Sequence, residues 1–86
     1  MYQVKEVVEM GKQIVVLHRG WVLMGTVTID GDIVTIKDCG NIRRWGTEHG
    51  LGQIAKEGPT DKTKIDQQPV TRVHVLGVIQ FIECEV

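Results

Sequence analysis

The sequence predicts a mainly β fold, a small barrel of about five strands with a short helical insertion between the third and the fourth strand. Three observations carry this prediction. Residues 12–39 and 70–86 are rich in β-branched and other apolar residues, as strands are. Turn signals recur at strand-length intervals in the first of these segments. In the segment between them, 41–69, the spacing of the apolar residues changes to that of a helix.

Composition indicates a single domain that spans residues 1–86. Apolar residues make up 42% and charged residues 24% of the chain, which is usual for a globular protein, and 86 residues are too few for two cores. The formal net charge of −1 argues against a surface that neutralises phosphates as a whole. So short a chain buries a small share of its surface, which favours a homo-oligomer.

Cysteine usage and the absence of a leader pattern predict a cytoplasmic protein. Cys39 and Cys84 form no CxxC pair, which predicts free thiols, with a single disulfide between them as the alternative. No apolar stretch approaches the roughly 18 residues of a membrane span, so we expect no membrane partner. No local pair of metal ligands, P-loop or nucleophile elbow is present, and we predict neither a cofactor nor a metal nor enzymatic activity.

The N-terminal half is expected to contain an arm and a three-stranded meander. In the arm, residues 1–10, apolar residues recur among charged ones, a pattern that fits either a short helix or a bent edge strand. The meander occupies residues 12–39. Its first turn, at Arg19-Gly20, would pair Val16 with Leu23 if the loop has two residues.

Asp30-Gly31 is the strongest local turn signal, because both residues tolerate the left-handed backbone of a two-residue hairpin loop. This turn would pair Val27 with Val34. The two turns together place one apolar set on a common face, namely Ile14, Val16, Leu23, Val27, Ile29, Val34 and Ile36. The other face is also apolar, so we expect the central segment, the arm or a second subunit to cover it.

The central segment, 41–69, is interpreted as a loop-helix-loop insertion. Leu51, Ile54 and Ala55 have the spacing of a short amphipathic helix, which Gly58 would end. The polar residues that follow the helix predict a surface loop over 60–69, anchored by Ile65. The closing strands, 70–86, are expected to bend at Gly77.

The rhythm of strands and turns resembles that of Sm-like and SH3-like small barrels. The resemblance covers residues 11–39 and 72–84 and rests on three patterns: Gly11-Lys12-x-Ile-x-Val-x-His-x-Gly20, Gly25-x-Val27-x-x-Asp30 and Val75-x-x-Val78-x-x-Phe81. It implies subunits joined into rings that bind RNA. The small polar motifs of the RNA-binding loops in that family are absent here, so nucleic acid is not the favoured partner.

A longer motif resembles a family of small uncharacterised proteins of phages and prophages. It consists of Ile-Arg-Arg-Trp-Gly-Thr at 42–47, Gly-Leu-Gly-Gln-Ile-Ala at 50–55, Gly-Pro-Thr at 58–60 and Ile-Asp at 65–66. The match covers most of residues 12–84. It implies a phage origin and no settled activity.

The insertion also contains the candidate binding residues. Arg43 and Arg44 could bind phosphate in fork geometry while Trp45 stacks on a nucleobase. The alternative is that Trp45 anchors the core and the arginines are solvated or salt-bridged. Gly50 and Gly52, at the start of the helix, could present N–H groups to a phosphate, with simple turn geometry as the alternative.

His49 is the best placed general base, since a loop histidine near arginines can titrate near neutral pH, although isolated histidines are mostly structural or exposed. His18 and His74 fall in predicted strands, which indicates packing and no chemistry. The full candidate ligand-binding set is Arg43, Arg44, Trp45, Thr47, His49, Gly50, Gly52 and Thr60.

We therefore expect a small non-enzymatic protein that binds an anionic, nucleotide-like ligand. In the phage context that the resemblance implies, it would sequester that ligand as a counter-defence protein. The rival function is inhibition of a host protein, or a structural accessory role in the phage, with Trp45 and the arginines as the interface hot spot. A third is Sm-like nucleic-acid binding.

Overall fold

The computed structural model describes residues 7–86, and this part of the chain is mainly β with one α-helix. The strands are β1 Val7–Leu17, β2 Val22–Asp30, β3 Ile33–Arg44, β4 Lys64–Gln67, β5 Thr71–His74 and β6 Val78–Glu83, and helix α1 is Leu51–Glu57. Short 3-10 turns precede β2 and β6, at His18–Gly20 and Val75–Gly77. The predicted mainly β fold is confirmed, with six strands in place of about five.

All six strands belong to one antiparallel sheet with the order β4-β3-β2-β1-β6. The long strand β3 has two partners on the same edge, because β4 pairs with its C-terminal half and β5 with its N-terminal half. A three-residue turn then joins β5 to β6, which pairs with β1 on the other side of the sheet. The sheet therefore curls, but no ladder between described strands closes it, so a complete barrel is not observed.

The first hairpin turn is longer than two residues, which makes the predicted register wrong by one position. The Leu17 N–H donates to the Trp21 carbonyl at 2.8 Å across a turn in which Arg19 has a φ of 67°. Val16 consequently pairs with Val22 and not with Leu23. His18, which we placed in a strand, lies exposed in this turn.

A shift of one residue moves every side chain of a strand to the other face of the sheet. Leu23 pairs with Val15, and Ile14 and Val16 point to the opposite side. The predicted grouping of Ile14 and Val16 with Leu23 and Val27 is therefore wrong.

The second hairpin turn lies at Gly31-Asp32, one residue later than predicted. Asp30 pairs with Ile33, and Val27 pairs with Ile36, so the predicted pairing of Val27 with Val34 is wrong by two positions. Because the error is an even number of residues, it leaves the faces unchanged. The predicted common face of Leu23, Val27, Val34 and Ile36 is confirmed.

Each face of the curled sheet has its own core. The strand-covered core is made of Val15, Leu23, Val27, Val34, Ile36 and Cys39, with Val73 of β5 and Phe81 of β6 packed against it. The helix-covered core is made of Ile14, Val22, Ile42, Leu51, Ile54 and Ala55. Helix α1 supplies the last three of these, so the central segment covers the face that carries Val22 and Met24, whereas Val15 and Leu17, predicted on that face, lie in the strand-covered core.

The helix ends where the sequence predicts. Gly58 has a φ of 87°, and its N–H donates to the carbonyl of Ile54 at 2.8 Å. A left-handed residue at this position is most often a glycine, because it has no Cβ to clash with the last turn. After β6, the Glu85 N–H donates to the Ala55 carbonyl at 2.7 Å and ties the C-terminus to the helix.

The predicted arm and insertion have different boundaries in the structure. The described part of the arm, from Val7 onward, is the start of β1 with a bulge between Glu9 and Gly11, which is the bent edge strand of the two alternatives. The rest of the arm lies outside the described residues. The predicted insertion 41–69 begins inside β3 and contains β4, because these two segments satisfy each other's backbone hydrogen bonds.

The insertion loop is therefore residues 45–63, between β3 and β4. Ile65, the predicted anchor of a surface loop, lies in β4 and packs against the helix-covered core. Residues 70–86 form the closing strands as predicted, with Gly77 in the turn between them. Within the part of the chain that the structure describes, no helix has the length and apolar character to cross a membrane.

Candidate functional site

A bulge at the end of β3 determines where the two arginines of the central motif point. Ile42 pairs with Ile65 and Arg44 pairs with Lys64, so Arg43 is an extra residue on β3. Ile42 is buried in the helix-covered core, whereas Arg43 and Arg44 are exposed. The bulge thus lets two consecutive arginines reach the outer surface where regular alternation would turn one of them inward.

Arg43 is held by a carboxylate on the neighbouring strand. Its Nε donates to Asp66 Oδ2 at 2.7 Å and its Nη2 to Asp66 Oδ1 at 3.4 Å. The two side chains are 64% and 54% exposed, so the ion pair contributes less than about 1 kcal/mol to the free energy of unfolding. Of the alternatives proposed for the arginines, Arg43 is therefore salt-bridged, and this ion pair lies at the surface.

Arg44 has a cation opposite it. Its cross-strand neighbour is Lys64, both side chains are exposed, and within residues 7–86 neither makes a hydrogen bond or an ion pair. Like charges directly opposite each other destabilise a pair of strands. An anion placed between the two side chains would remove that repulsion.

Trp45 follows directly and is 45% exposed, so it is not the buried core anchor that the alternative interpretation required. Its carbonyl accepts a hydrogen bond from Thr63 Oγ1 at 2.7 Å, and its indole lies beside the backbone of Gly50. The hydrogen bond from Thr63 fixes the backbone of Trp45. One edge of the indole lies near Gly50, and the rest of the ring faces solvent. Arg44 precedes Trp45 in the chain and pairs with Lys64 across the ladder, and we call these three exposed residues the Trp45 surface.

The insertion loop is closed by contacts around Gly46 and Thr60. Gly46 has a φ of 62°, and a Cβ there would overlap the backbone of Lys62. The Thr60 hydroxyl donates to the Gly46 carbonyl at 2.7 Å and accepts the Lys62 N–H at 3.1 Å. The Thr60 N–H donates to Thr63 Oγ1 at 2.9 Å. The hydroxyl of Thr60, a candidate ligand-binding residue, is thus engaged inside the loop.

The approach to helix α1 is fixed by Thr47 and Gln53. Thr47 Oγ1 donates to the Gly50 carbonyl at 3.0 Å. Gln53 Oε1 accepts the N–H groups of Glu48 and His49 at 3.2 and 3.0 Å. Gln53 is absent from the candidate set, although its position three residues after Gly50 is that of a capping-box side chain and could have identified its role.

The two glycines at the start of the helix differ in what they require. Gly50 precedes α1 with a φ of 76°, a conformation that favours glycine, so turn geometry accounts for it. Gly52 lies on the exposed side of α1, where a Cβ would meet nothing within 4 Å. No close approach of the backbone to another group explains Gly52.

His49 and the two arginines of the motif lie in different surroundings. Its exposed side chain lines a shallow depression of about 340 Å³ together with Gly52, Gln53 and two charged residues of α1. Neither arginine of the motif lines this depression, nor does Trp45. His74 is also exposed, and its Nδ1 accepts the Leu76 N–H at 3.1 Å at the start of the turn before β6.

The two thiols lie on opposite faces of the sheet and are both free. Cys39 is buried in the strand-covered core, whereas Cys84 packs against the helix-covered core. Burial raises the pKa of the Cys84 thiol, an effect that nearby Lys12 partly offsets. Within residues 7–86, no three His, Cys, Asp or Glu side chains come together in a way that could hold a metal ion.

No protein-family model, curated protein or solved structure matches this chain. Function is therefore inferred from the chain's own geometry. Of the candidate residues, Thr47, Gly50 and Thr60 are engaged in the structure of the insertion loop and Arg43 is held in an ion pair. Arg44 and Trp45 face solvent, and His49 and Gly52 line the depression beside α1.

Proposed function

We propose that this chain is a non-enzymatic binding protein that holds a nucleotide-like anion on the Trp45 surface. One observation carries the proposal: Arg44, which immediately precedes a half-exposed Trp45, lies opposite Lys64, and neither cation has an acidic partner in residues 7–86. In the bound state, phosphate oxygens accept hydrogen bonds from Arg44 and Lys64, and the base stacks on Trp45.

The expected affinity is moderate. Stacking of one base on an aromatic side chain contributes about 1–3 kcal/mol, and each charge-assisted hydrogen bond about 1.5–3 kcal/mol. Ordering of the ligand and of two long side chains offsets part of this gain. A Kd on the order of 10–100 μM is the result we expect for one subunit.

In the phage context implied by the motif at residues 42–66, the role that fits such binding is capture of a nucleotide signal used in host defence. A sequestering protein needs no catalytic group. It lowers the free concentration of the signal whenever the protein is present in excess of the Kd.

A homo-oligomer is part of this proposal. Sites for small ligands are usually concave, and the Trp45 surface of a single chain is open, so a second copy would supply the missing wall. Large apolar side chains stand exposed elsewhere on the described surface, where a further copy could cover them: Leu76 is 79% and Ile79 57% exposed. Native mass spectrometry of freshly expressed protein would report the stoichiometry and any retained nucleotide together.

We also infer that the curled sheet is a variant of the Sm-like or SH3-like small barrel. The support is the strand order, with β5 and β6 joined by a three-residue turn while they pair with β3 and β1 on either side of β2. Side chains of both closing strands pack onto the strand-covered core, as they would in a barrel interior.

The second candidate is a protein-binding inhibitor or accessory. An open surface with an exposed Trp next to arginines favours it, because interface hot spots are enriched in these two residues. Binding of a single-stranded nucleic acid is the third outcome. It would be recognised by an affinity that falls steeply with salt concentration.

Thermal unfolding with a panel of linear and cyclic nucleotides tests the proposal. At a ligand concentration 100 times the Kd, we expect the free energy of unfolding to rise by about 2.7 kcal/mol. The double variant Arg44→Gln with Lys64→Gln should lose this effect, and the matched variant Lys37→Gln with Arg72→Gln should keep it. No stabilisation by any nucleotide at about 100 times the expected Kd, or equal stabilisation of the double variant, would overturn the proposal.

A further inference from the structure

A second cavity, of about 380 Å³, crosses strands β1 to β4 on the face of the sheet that carries the helix-covered core. Its apolar lining residues, Met24 and Ile65, pack against that core, whereas no residue of α1 lines it. The cavity therefore continues the face beyond the part that the helix covers. The residues of the Trp45 surface do not contribute to it.

Two buried glycines and a bulge form this cavity. A Cβ on Gly40 would overlap the side chain of Ile65, which lies directly over it. A Cβ on Gly25 would overlap the Lys37 carbonyl and the Ile36 side chain of the strand-covered core, so Gly25 contributes only its backbone to this cavity. The register between β2 and β3 shifts beside Gly25, where Asp38 has a φ of 51°. Part of the floor is thus bare backbone, because a side chain at Gly40 cannot be accommodated.

The cavity contains one charged side chain of each sign. Lys12 lies on β1 and Asp38 lies on β3, with β2 between them. Their backbones are therefore separated by about 10 Å, two strand spacings. Within the described residues, neither side chain makes an ion pair or a hydrogen bond.

The Cys84 thiol supplies Lys12 with no counter-charge. The nearby thiol of Cys84 has a raised pKa because it is partly buried, so it stays protonated at neutral pH. Two further polar side chains, Thr26 and Gln67, also line the cavity, and they make no side-chain hydrogen bond within residues 7–86. The cavity thus combines an apolar floor with separated opposite charges and spare hydrogen-bonding groups, a combination typical of small-molecule sites.

We propose that this cavity binds a small zwitterion with an aliphatic side chain, an amino acid or a dipeptide. Its carboxylate pairs with Lys12, its ammonium group pairs with Asp38, and its side chain lies on Met24 and Ile65. The two backbones are about 10 Å apart, and the Lys12 side chain is long and flexible, so the charged ends of an amino acid or of a dipeptide can reach both residues.

The test is a two-dimensional NMR titration of the full chain with glycyl-leucine and with leucine, followed at the backbone amides of Gly25 and Gly40. We expect saturable shifts with at least one of the two probes. N-acetyl-glycyl-leucine lacks the ammonium group and glycyl-leucinamide lacks the carboxylate, so each should bind at least about tenfold more weakly, as expected for a lost charge-assisted hydrogen bond.

Single-residue variants test whether Lys12 and Asp38 each bind one charge of the ligand. Asp38→Asn removes the charge and keeps a residue that tolerates a positive φ, so the backbone is preserved. Asp38→Asn and Lys12→Gln should each weaken the zwitterion about tenfold, whereas Asp32→Asn and Lys37→Gln, outside the cavity, should bind as the native chain does. The Arg44→Gln variant should also bind normally, which keeps this proposal separate from the nucleotide proposal.

Three results would overturn the inference. The first is the absence of a saturable shift with both probes up to about 10 mM. The second is equal binding of the blocked and the zwitterionic forms. The third is binding to the two charge variants with the affinity of the native chain, with their amide spectra showing that both are folded.

Discussion

The inside of the insertion loop and the Trp45 surface beside it are built in opposite ways. Inside the loop, the polar groups of Thr47, Gln53, Thr60 and Thr63 are hydrogen-bonded to neighbouring backbone. On the Trp45 surface, two cations face each other without a partner in residues 7–86. The hydrogen bonds inside the loop thus explain its conformation. The two surface cations form no interaction within residues 7–86 that would stabilise the fold.

This difference separates residues that shape the site from residues that could touch a ligand. Substitutions inside the loop should lower stability, and substitutions on the surface should lower binding with stability unchanged. The following predictions test that separation, from the largest expected effect to the smallest.

Gly46→Ala should have the largest effect. An alanine at this position would have to adopt a φ of 62°, and its Cβ would overlap the backbone of Lys62. We expect the free energy of unfolding to fall by about 3 kcal/mol, measured by urea denaturation. Gly52→Ala, in the same insertion loop, is the control: nothing lies near its Cβ, and alanine favours a helix by up to about 1 kcal/mol. Equal destabilisation by the two substitutions would show that the Gly46 geometry is not required.

Thr60→Val keeps the shape of the side chain and removes its hydroxyl. The Gly46 carbonyl and the Lys62 N–H would each lose a partner, which should cost about 1–2 kcal/mol of unfolding free energy. Thr35→Val is the matched control, because Thr35 is half-buried in β3 and makes no side-chain hydrogen bond within residues 7–86. If Thr60→Val left stability unchanged and reduced nucleotide binding, Thr60 would belong to the ligand site.

Arg44→Gln should weaken nucleotide binding about tenfold, through loss of one charge-assisted hydrogen bond, as measured by calorimetric titration. Stability should stay unchanged or rise by a few tenths of a kcal/mol, since the repulsion from Lys64 is removed. Arg72→Gln, an exposed arginine on β5, should change neither quantity. A marked loss of stability in Arg44→Gln would place Arg44 among the structural residues.

Asp66→Asn should have the smallest effect on stability, less than about 1 kcal/mol, because the ion pair with Arg43 is exposed. It removes a negative charge next to the Trp45 surface and releases Arg43. We therefore expect nucleotide affinity to rise about two- to fivefold at low salt. Asp32→Asn, at the second hairpin turn, should leave affinity unchanged. A fall in affinity in Asp66→Asn would mean that the ion pair positions Arg43 for the ligand.

Local signals in the sequence were sufficient for some elements. The spacing of Leu51, Ile54 and Ala55, followed by Gly58, predicted helix α1 and its end, because these residues act over a single turn. The face shared by Leu23, Val27, Val34 and Ile36 was also predictable. The register predicted from the second turn was wrong by two residues, and a shift by an even number of residues leaves every side chain on the same face of the sheet.

Other features depend on geometry that no local pattern specifies. The first turn contains an additional residue, with Arg19 in a left-handed conformation, and this one-residue shift reversed the faces of Ile14 and Val16. Strand β4 was missed because only Ile65 is apolar in it, and it is stabilised by pairing with β3. The bulge that exposes both arginines arises from the same pairing.

The most direct test of the Trp45 surface uses the two indole N–H signals of the chain in an NMR titration with adenosine diphosphate. Trp21 and Trp45 are both exposed, but it is Trp45 that directly follows Arg44, the cross-strand partner of Lys64, so Trp21 serves as an internal control. We predict that the Trp45 signal shifts and saturates while the Trp21 signal stays in place, and that Arg44→Gln needs about tenfold more ligand to saturate the shift. Equal shifts of both signals, or no saturable shift of Trp45, would contradict the account.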